Sequence, residues 1–332
     1  MNKAAGQRRL FWVIGLLGAA VVVVSVLLGR YPGPFLMLPE RLAGDALAQK
    51  LVLNLRLPRL VAALLLGASL SATGFAFQMI FDNPLVEPGF LGVSQGAAFG
   101  AALSIVTVSS APAAVQLSAA LFGFLGLGLS YFLARRVRFG GWVLRLVLAG
   151  IAVSAMFSAG SGILKYLADP TNQLAEITFW LLGGLWSVTW DKVLSILPAV
   201  IIGLAVLFRM RWRVNLLSLS DETAFSLGAA PTRERAIVLV AGVLATSAVI
   251  SVAGMVGWIG LIVPHIARRL FGADSRFALP GSMLVGALFA LLCDDLGRTL
   301  TAGEIPLGIL TSLIGAALFM WLMSQRQGGK LT

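Results

Sequence analysis

Apolar residues run along this chain in long blocks, separated by short polar or basic connections. A hydrocarbon core about 30 Å thick is crossed by a helix of roughly 20 apolar residues. Ten blocks approach that length, near 11–29, 59–80, 91–108, 115–134, 144–167, 192–208, 236–251, 255–270, 279–297 and 305–323. The pattern predicts an all-α polytopic membrane protein of ten transmembrane helices, with residues 1–332 forming one membrane domain. The first block follows Lys3, Arg8 and Arg9, as in a secretory signal. Gly29-Arg30-Tyr31-Pro32 stands where a small-residue cleavage site belongs, so the first helix is expected to remain.

Composition agrees. Of the 332 residues 58% are hydrophobic and 12% charged, against roughly 25% charged in a soluble domain. That polar surface is too small to wrap a soluble enzyme of this size, and a disordered chain is excluded on the same ground. The single Cys293 forms no internal disulfide, and the single His265 anchors no multi-histidine metal site. A net charge of +11 raises the question of nucleic acid, but no basic stripe with interleaved aromatics is present.

The positions of the charges set the orientation. With the N-terminus in the cytoplasm, ten spans leave eight basic residues outside: Arg30, Arg41, Lys50, Arg56, Arg59, Lys165, Lys192 and Arg298. The other 17 of the 25, including Arg326 and Lys330 at the C-terminal end, fall on the cytoplasmic side. This excess follows the positive-inside rule and places both termini in the cytoplasm. Four outer charges share one long loop, residues 30–58, expected to pack on the outer face, and Arg59 follows it directly. Gly92, Gly96 and Gly100, and Gly254, Gly257 and Gly260, recur at the spacings that let helices approach closely in lipid.

Chemical motifs are few. Gly92-Val93-Ser94-Gln95-Gly96 matches a serine-hydrolase elbow, but the serine lies in an apolar block and the only histidine is far along the chain. There is no phosphate-binding loop, since Gly328-Gly329-Lys330 lacks the flanking pattern. No catalytic residue, metal site or cofactor is assigned to this chain. Asp294 and Asp295, at an outer helix end, fit a proton pathway, or a local ion pair with Arg298 one turn on.

The stretch 214–235 carries the clearest local signals. Ser218 or Ser220 suits a helix N-cap, Asp221 and Glu222 favour its positive end, and Gly228 suits its stop. Pro231 suits the first turn of a second short helix. Two short cytoplasmic helices over about 216–235, with an apolar row of Leu217, Ala224 and Leu227, would form a docking element for a soluble partner.

Several segments together resemble the permease subunits of ATP-driven importers for iron chelates, haem and cobalamin. They are Leu55-Arg56-Leu57-Pro58-Arg59, the stretch from Asn83-Pro84-Leu85 through Glu87-Pro88 to Leu91-Gly92-Val93-Ser94, the stretch from Gly257-Trp258 to Pro264-His265 and Arg268, Leu279-Pro280, Asp294 with Arg298, and Glu304-Ile305-Pro306-Leu307-Gly308. The resemblance runs from about residue 50 onward. It implies a ten-helix subunit in the inner membrane, paired with a second copy around a translocation path. Two cytosolic ATP-binding subunits would supply ATP and Mg²⁺ chemistry, and an extracytoplasmic binding protein would deliver substrate. By matching position, Arg56, Arg59 and Arg298 would meet acidic residues of the binding protein. Leu217, Ser220, Asp221, Glu222, Ala224, Leu227 and Gly228 would dock the ATPases. Phe139, Gly140, Gly141 and Trp142 fall where the family has its cytoplasmic gate, and differ there from the small hydroxyl residues of the cobalamin permease. The expected cargo is an iron(III) chelate, with haem, cobalamin or an oxyanion as alternatives. The rival class is a proton-coupled secondary transporter using Asp294 and Asp295, which has no need of a docking element at 216–235.

Overall fold

The computed structural model describes residues 3–31, 36–38, 40, 44–301 and 303–324. Arg41, Arg326 and Lys330 lie outside the described residues. Helix follows helix along the chain, and the only β-pairing among the described residues is a single bridge between Leu28 and Leu36. In chain order the helices are α1 (Lys3–Leu27), α2 (Ala46–Leu51), α3 (Leu57–Ile80), α4 (Val93–Leu103), α5 (Pro112–Arg136), α6 (Trp142–Leu167), α7 (Gln173–Leu182), α8 (Trp190–Leu217), α9 (Asp221–Ser226), α10 (Pro231–Ala253), α11 (Ile259–Phe271), α12 (Ser275–Thr299) and α13 (Leu307–Ser324).

Among the described residues, eight helices are long and apolar enough to cross a membrane. Each of the ten predicted blocks coincides with a helix, but two fall short of full length. The block 91–108 is α4 with a π-helical extension over Ser104–Val108, and the block 255–270 is reduced to α11 by irregular backbone over 254–258. α7 lies in a stretch assigned to no span. The expected loop 30–58 is helical from Ala46 onward. Asp45 caps α2 by accepting from Leu47 N and Ala48 N, and a π-helical turn over Val52–Arg56 carries α2 without interruption into α3.

Burial sorts the helices. Within the most apolar window of each, 78% of the α2–α3 stretch and 72% of α10 is buried, against 11% of α1. α3 and α10 therefore form the centre, packed on each other and on α8, with α3 also against α11 and α12, while α1 leans on the outside of α12. Close approach is achieved with glycine. Gly67 faces the Gly286 carbonyl and Gly74 the Gly260 carbonyl, where a Cβ would collide with backbone. Gly96 and Gly100 likewise meet carbonyls of α5. Without a hydrophobic force between helices in lipid, such contacts supply the packing.

Candidate functional site

α8 and α12 both run from one end of the bundle to the other, and each end gathers residues singled out by sequence. At one end Arg56 and Arg59, on the turns entering α3, meet Arg298 on the last turn of α12. With Arg30 and Glu304 they line a basin of about 380 Å³. Sequence separated these residues by some 240 positions, and the fold makes them one site.

The arginines are not loose handles. Arg59 donates from Nε to both Asp294 oxygens, at 3.0 and 2.9 Å, and from Nη1 to Glu304 at 2.9 and 2.8 Å. Arg298 pairs chiefly with Asp295 and only distantly with Asp294, at 3.9 Å. The i,i+4 pair expected from spacing is present but long, the i,i+3 pair is the closer one, and Asp294 bonds chiefly to Arg59. Ser25 Oγ donates to Asp295 at 2.6 Å. The remaining donors cap α1. Arg298 bonds the Ser25 and Leu28 carbonyls at 2.6 and 2.9 Å, and Arg56 those of Val26, Leu27 and Tyr31 at 3.1, 3.3 and 3.0 Å. The last carbonyls of a helix lack intrahelical partners and carry its negative end, so cations belong there. Gly29 leaves room for the Arg56 guanidinium, which any Cβ would strike. The side chains of Arg298 and Arg59 are 9% and 14% exposed, that of Asp294 2%. Both carboxylates therefore sit in closed ion pairs, an arrangement that supplies a proton pathway with no free carboxylate.

At the opposite end the stretch 216–235 departs from expectation. It holds one short helix, not two. Pro231 opens the 23-residue α10 directly, because Thr232–Arg235 lead into the apolar run from Ala236 with no glycine or proline between. α9 is framed by its own chemistry: the Ser220 hydroxyl accepts from Thr223 N, while Gly228 N bonds Phe225 O at 2.9 Å and Ala229 N bonds Ala224 O at 3.0 Å. That pair of bonds is a Schellman stop, which needs the left-handed φ of +80° that Gly228 adopts. The predicted apolar row is corrected too. Leu217 and Ala224 are buried and hold the turn to the bundle, whereas Leu219, Phe225 and Leu227 are exposed. Asp221 accepts from Arg235 at 2.6 Å, and Glu222 is exposed.

The segment 139–142 lies beside this turn. Trp142 starts α6, stacks on Phe81 with centroids 5.6 Å apart, and lies 5.3 Å from the Arg235 guanidinium. Arg235 thus joins α9 to the proposed gate segment, a link that sequence gave no sign of. Gly140 takes a φ of +76° and its carbonyl accepts from Arg145 Nε at 3.0 Å. Phe139 and Gly141 are exposed.

Two further motifs meet between these ends. The connection 81–92 is stitched onto α11: His265 Nε2 lies 3.0 Å from the Pro84 carbonyl, and Gln78 Nε2 donates to Val86 O and Leu261 O. His265 serves structure here, and Ser94 lies in the first turn of α4 after a 3-10 turn over Pro88–Leu91, not on a strand-to-helix elbow. Among the described residues no cluster of His, Cys, Asp or Glu could hold a metal.

A chain with these helices, a basic basin and a capped turn is matched over residues 11–325 by the FecCD transport family. The chain belongs to that family. It is 43% identical over 84% of its length to a probable iron chelatin transport system permease protein of Helicobacter pylori, covering 83% of that protein. It is 37% identical to the molybdate import system permease protein MolB of Haemophilus influenzae, over 97% of both chains. A solved structure described as an inward-facing conformation of a putative metal-chelate type ABC transporter superposes with a TM-score of 0.88 at 36% identity, covering 96% of this chain and 99% of that one. The protein is accordingly a membrane-embedded ABC-transporter permease of the FecCD family.

Proposed function

We propose that the chain is the membrane subunit of an importer that carries an iron(III) chelate inward across the inner membrane. It works as a homodimer of ten-span subunits with both termini in the cytoplasm. Two cytosolic subunits bind ATP and Mg²⁺ and dock on α9, and the extracytoplasmic protein that delivers the chelate docks by its acidic residues on the arginine basin. The observation that carries this reading is the pairing of two unlike surfaces at opposite ends of α8 and α12. One is a basin of arginines suited to carboxylates, and the other a rigid turn offering Leu219, Phe225 and Leu227.

No bond-making is assigned to the chain. ATP binding in the partners shifts a two-state arrangement of the helices, and the states must differ in affinity for those partners for coupling to occur. Arg235 connects the docked turn to Trp142, so motion of α9 reaches the segment 139–142. The test is transport in proteoliposomes containing the chain, its ATPase and its binding protein, with a ferric trishydroxamate, ferric dicitrate, haem, cobalamin and molybdate compared. ATP-dependent uptake of a ferric chelate above the others is expected. The molybdate relative makes an oxyanion the competing cargo, and preferential uptake of molybdate would replace the chelate in this reading.

A further inference from the structure

Irregular backbone at membrane depth is tolerated only where protein buries it or where it lines a water-filled cavity. Here two short helices start inside the bundle: α4 after the connection 81–92, and α11 after the irregular stretch 254–258. Between their starting ends lies a cavity of about 300 Å³. Its apolar wall includes Leu70 and Ile151, which stand near the middle of α3 and α6 and place it at mid-height of these helices, with Ile151 itself exposed.

Four polar side chains face this cavity: Glu87, Ser94, Gln95 and Ser154. Glu87 accepts from the backbone N–H of Trp258, the residue before α11, which is held at a left-handed φ of +69°. Ser94, Gln95 and Ser154 are half-buried, and none hydrogen-bonds another protein group among the described residues. Polar groups in an apolar interior are normally satisfied. Three from two different helices, left open toward one space beside a carboxylate, form a set prepared for something that enters. Apolar pockets with a few convergent polar groups are the usual form of small-molecule sites, and paired interrupted helices mark such sites in transporters.

We infer that this cavity is a polar subsite for the transported molecule, contacting one face of an uncharged chelate rich in hydrogen-bonding groups and disfavouring oxyanions. The inference rests on the permease reading above and narrows its cargo. The chemistry follows from the lining. The Gln95 amide and the two hydroxyls both donate and accept, while Glu87 brings the only formal charge. Among the described residues no Lys, Arg or His lines the space, so an anion entering it would lose its hydration without a counter-charge. The arginine basin at the bundle end has the opposite character, and the two sites do not compete for one ligand.

The experiment uses full-length protein in lipid nanodiscs. Ser154→Cys places a thiol on the cavity wall, and the wild type, whose one cysteine is buried, is the control. A small water-soluble maleimide is expected to label Ser154→Cys and not the wild type. A neutral ferric trishydroxamate should slow that labelling, whereas molybdate and ferric dicitrate should not. Adding Gln95→Leu, which removes no protein hydrogen bond, should raise the half-protecting concentration about ten-fold, the worth of one or two lost hydrogen bonds. Glu87→Gln should weaken the discrimination against the anions, and Gln95→Leu remains decisive if that variant misfolds. A thiol closed to the maleimide, labelling that no cargo slows, or protection by the anions at least equal to that by the chelate would each overturn the inference. Transport by the wild type with its partners tests the permease reading separately, so the two can fail independently.

Discussion

At the basin end, Arg59 and Arg298 direct their donors to Asp294, Asp295, Glu304 and the last carbonyls of α1, leaving little of either guanidinium in contact with solvent. At the α9 end, Leu219, Phe225 and Leu227 project outward from a turn whose polar groups are satisfied internally. The first region is held by charge that is already paired, and its residues contribute to folding as much as to any docking. The second separates the two roles, with buried Leu217 and Ala224 for the frame and exposed tips for a partner. Substitutions at the basin should therefore change stability and function together, whereas those on the α9 tips should change function alone.

The largest effect is expected from Asp294→Ala, which removes the buried partner of Arg59 and leaves that guanidinium, 14% exposed, with only the exposed Glu304. Breaking a buried pair by removing one partner costs about 3–5 kcal/mol. A large drop in the thermal midpoint of the purified protein is expected, and an unchanged midpoint would show that the pair is not buried in the assembled protein. The same logic revises what Arg56→Ala, Arg59→Ala and Arg298→Ala can show. Their combination should weaken binding-protein affinity at low salt, but it must be read beside a folding control, since the three also cap α1 and pair Asp294 and Asp295.

Gly228→Val comes next. The position has open space for a side chain, so the penalty is conformational only. A β-branched residue at φ +80° carries strain of about 1–3 kcal/mol, and it acts on the stop of α9 and not on the core. Dimerisation should survive while ATPase binding or coupled transport is lost. Binding and wild-type transport together would reduce the segment to a connection. Phe225→Ala sharpens the contrast, because the ring is 74% exposed. Stability should be unchanged within about 0.5 kcal/mol, as for exposed sites generally, and ATPase affinity in a pull-down should fall. Equal affinity would remove the tips from the interface.

The helices were legible because length and apolarity suffice to mark a buried span, and the positions of α3, α10 and α12 match their blocks closely. α7 was not, since ten residues are too few to read as a span. The second short helix was misread for a related reason: Pro231 marks a helix start but carries no information on its length. Arg56, Arg59 and Arg298 were recognisable as a group only through resemblance, and of their partners only the carboxylates one turn before Arg298 were visible. Pairing across the bundle depends on which faces meet, and Ser25, Asp295 and the ends of α1 come together only in three dimensions. Leu217 and Leu227 look alike in sequence, and only packing shows one buried and the other exposed.

The smallest effect expected here separates ionic from apolar holding at the α9 end itself. Asp274 caps α12 and accepts from Arg276 Nε at 2.8 Å and from Asn215 Nδ2 at 2.8 Å, which ties the end of α8 to the start of α12. The hydrogen bond from Arg276, helped by Asn215, holds the Asp274 carboxyl down from 3.8 to about 2. Because the folded value lies below the unfolded one, the carboxylate's contribution is complete above the unfolded value and is lost as pH falls toward about 2. The group is partly exposed, so screening keeps its contribution modest. Wild-type stability should therefore carry a small component that fades between about pH 4 and pH 2, the window set by those two values. Asp274→Asn keeps an N-capping side chain but cannot ionise. It should be slightly less stable than wild type at neutral pH and should lose that part of the acid dependence. Thermal midpoints of the two proteins across this range should converge at the acid end, and parallel curves would assign the acid response to other carboxylates.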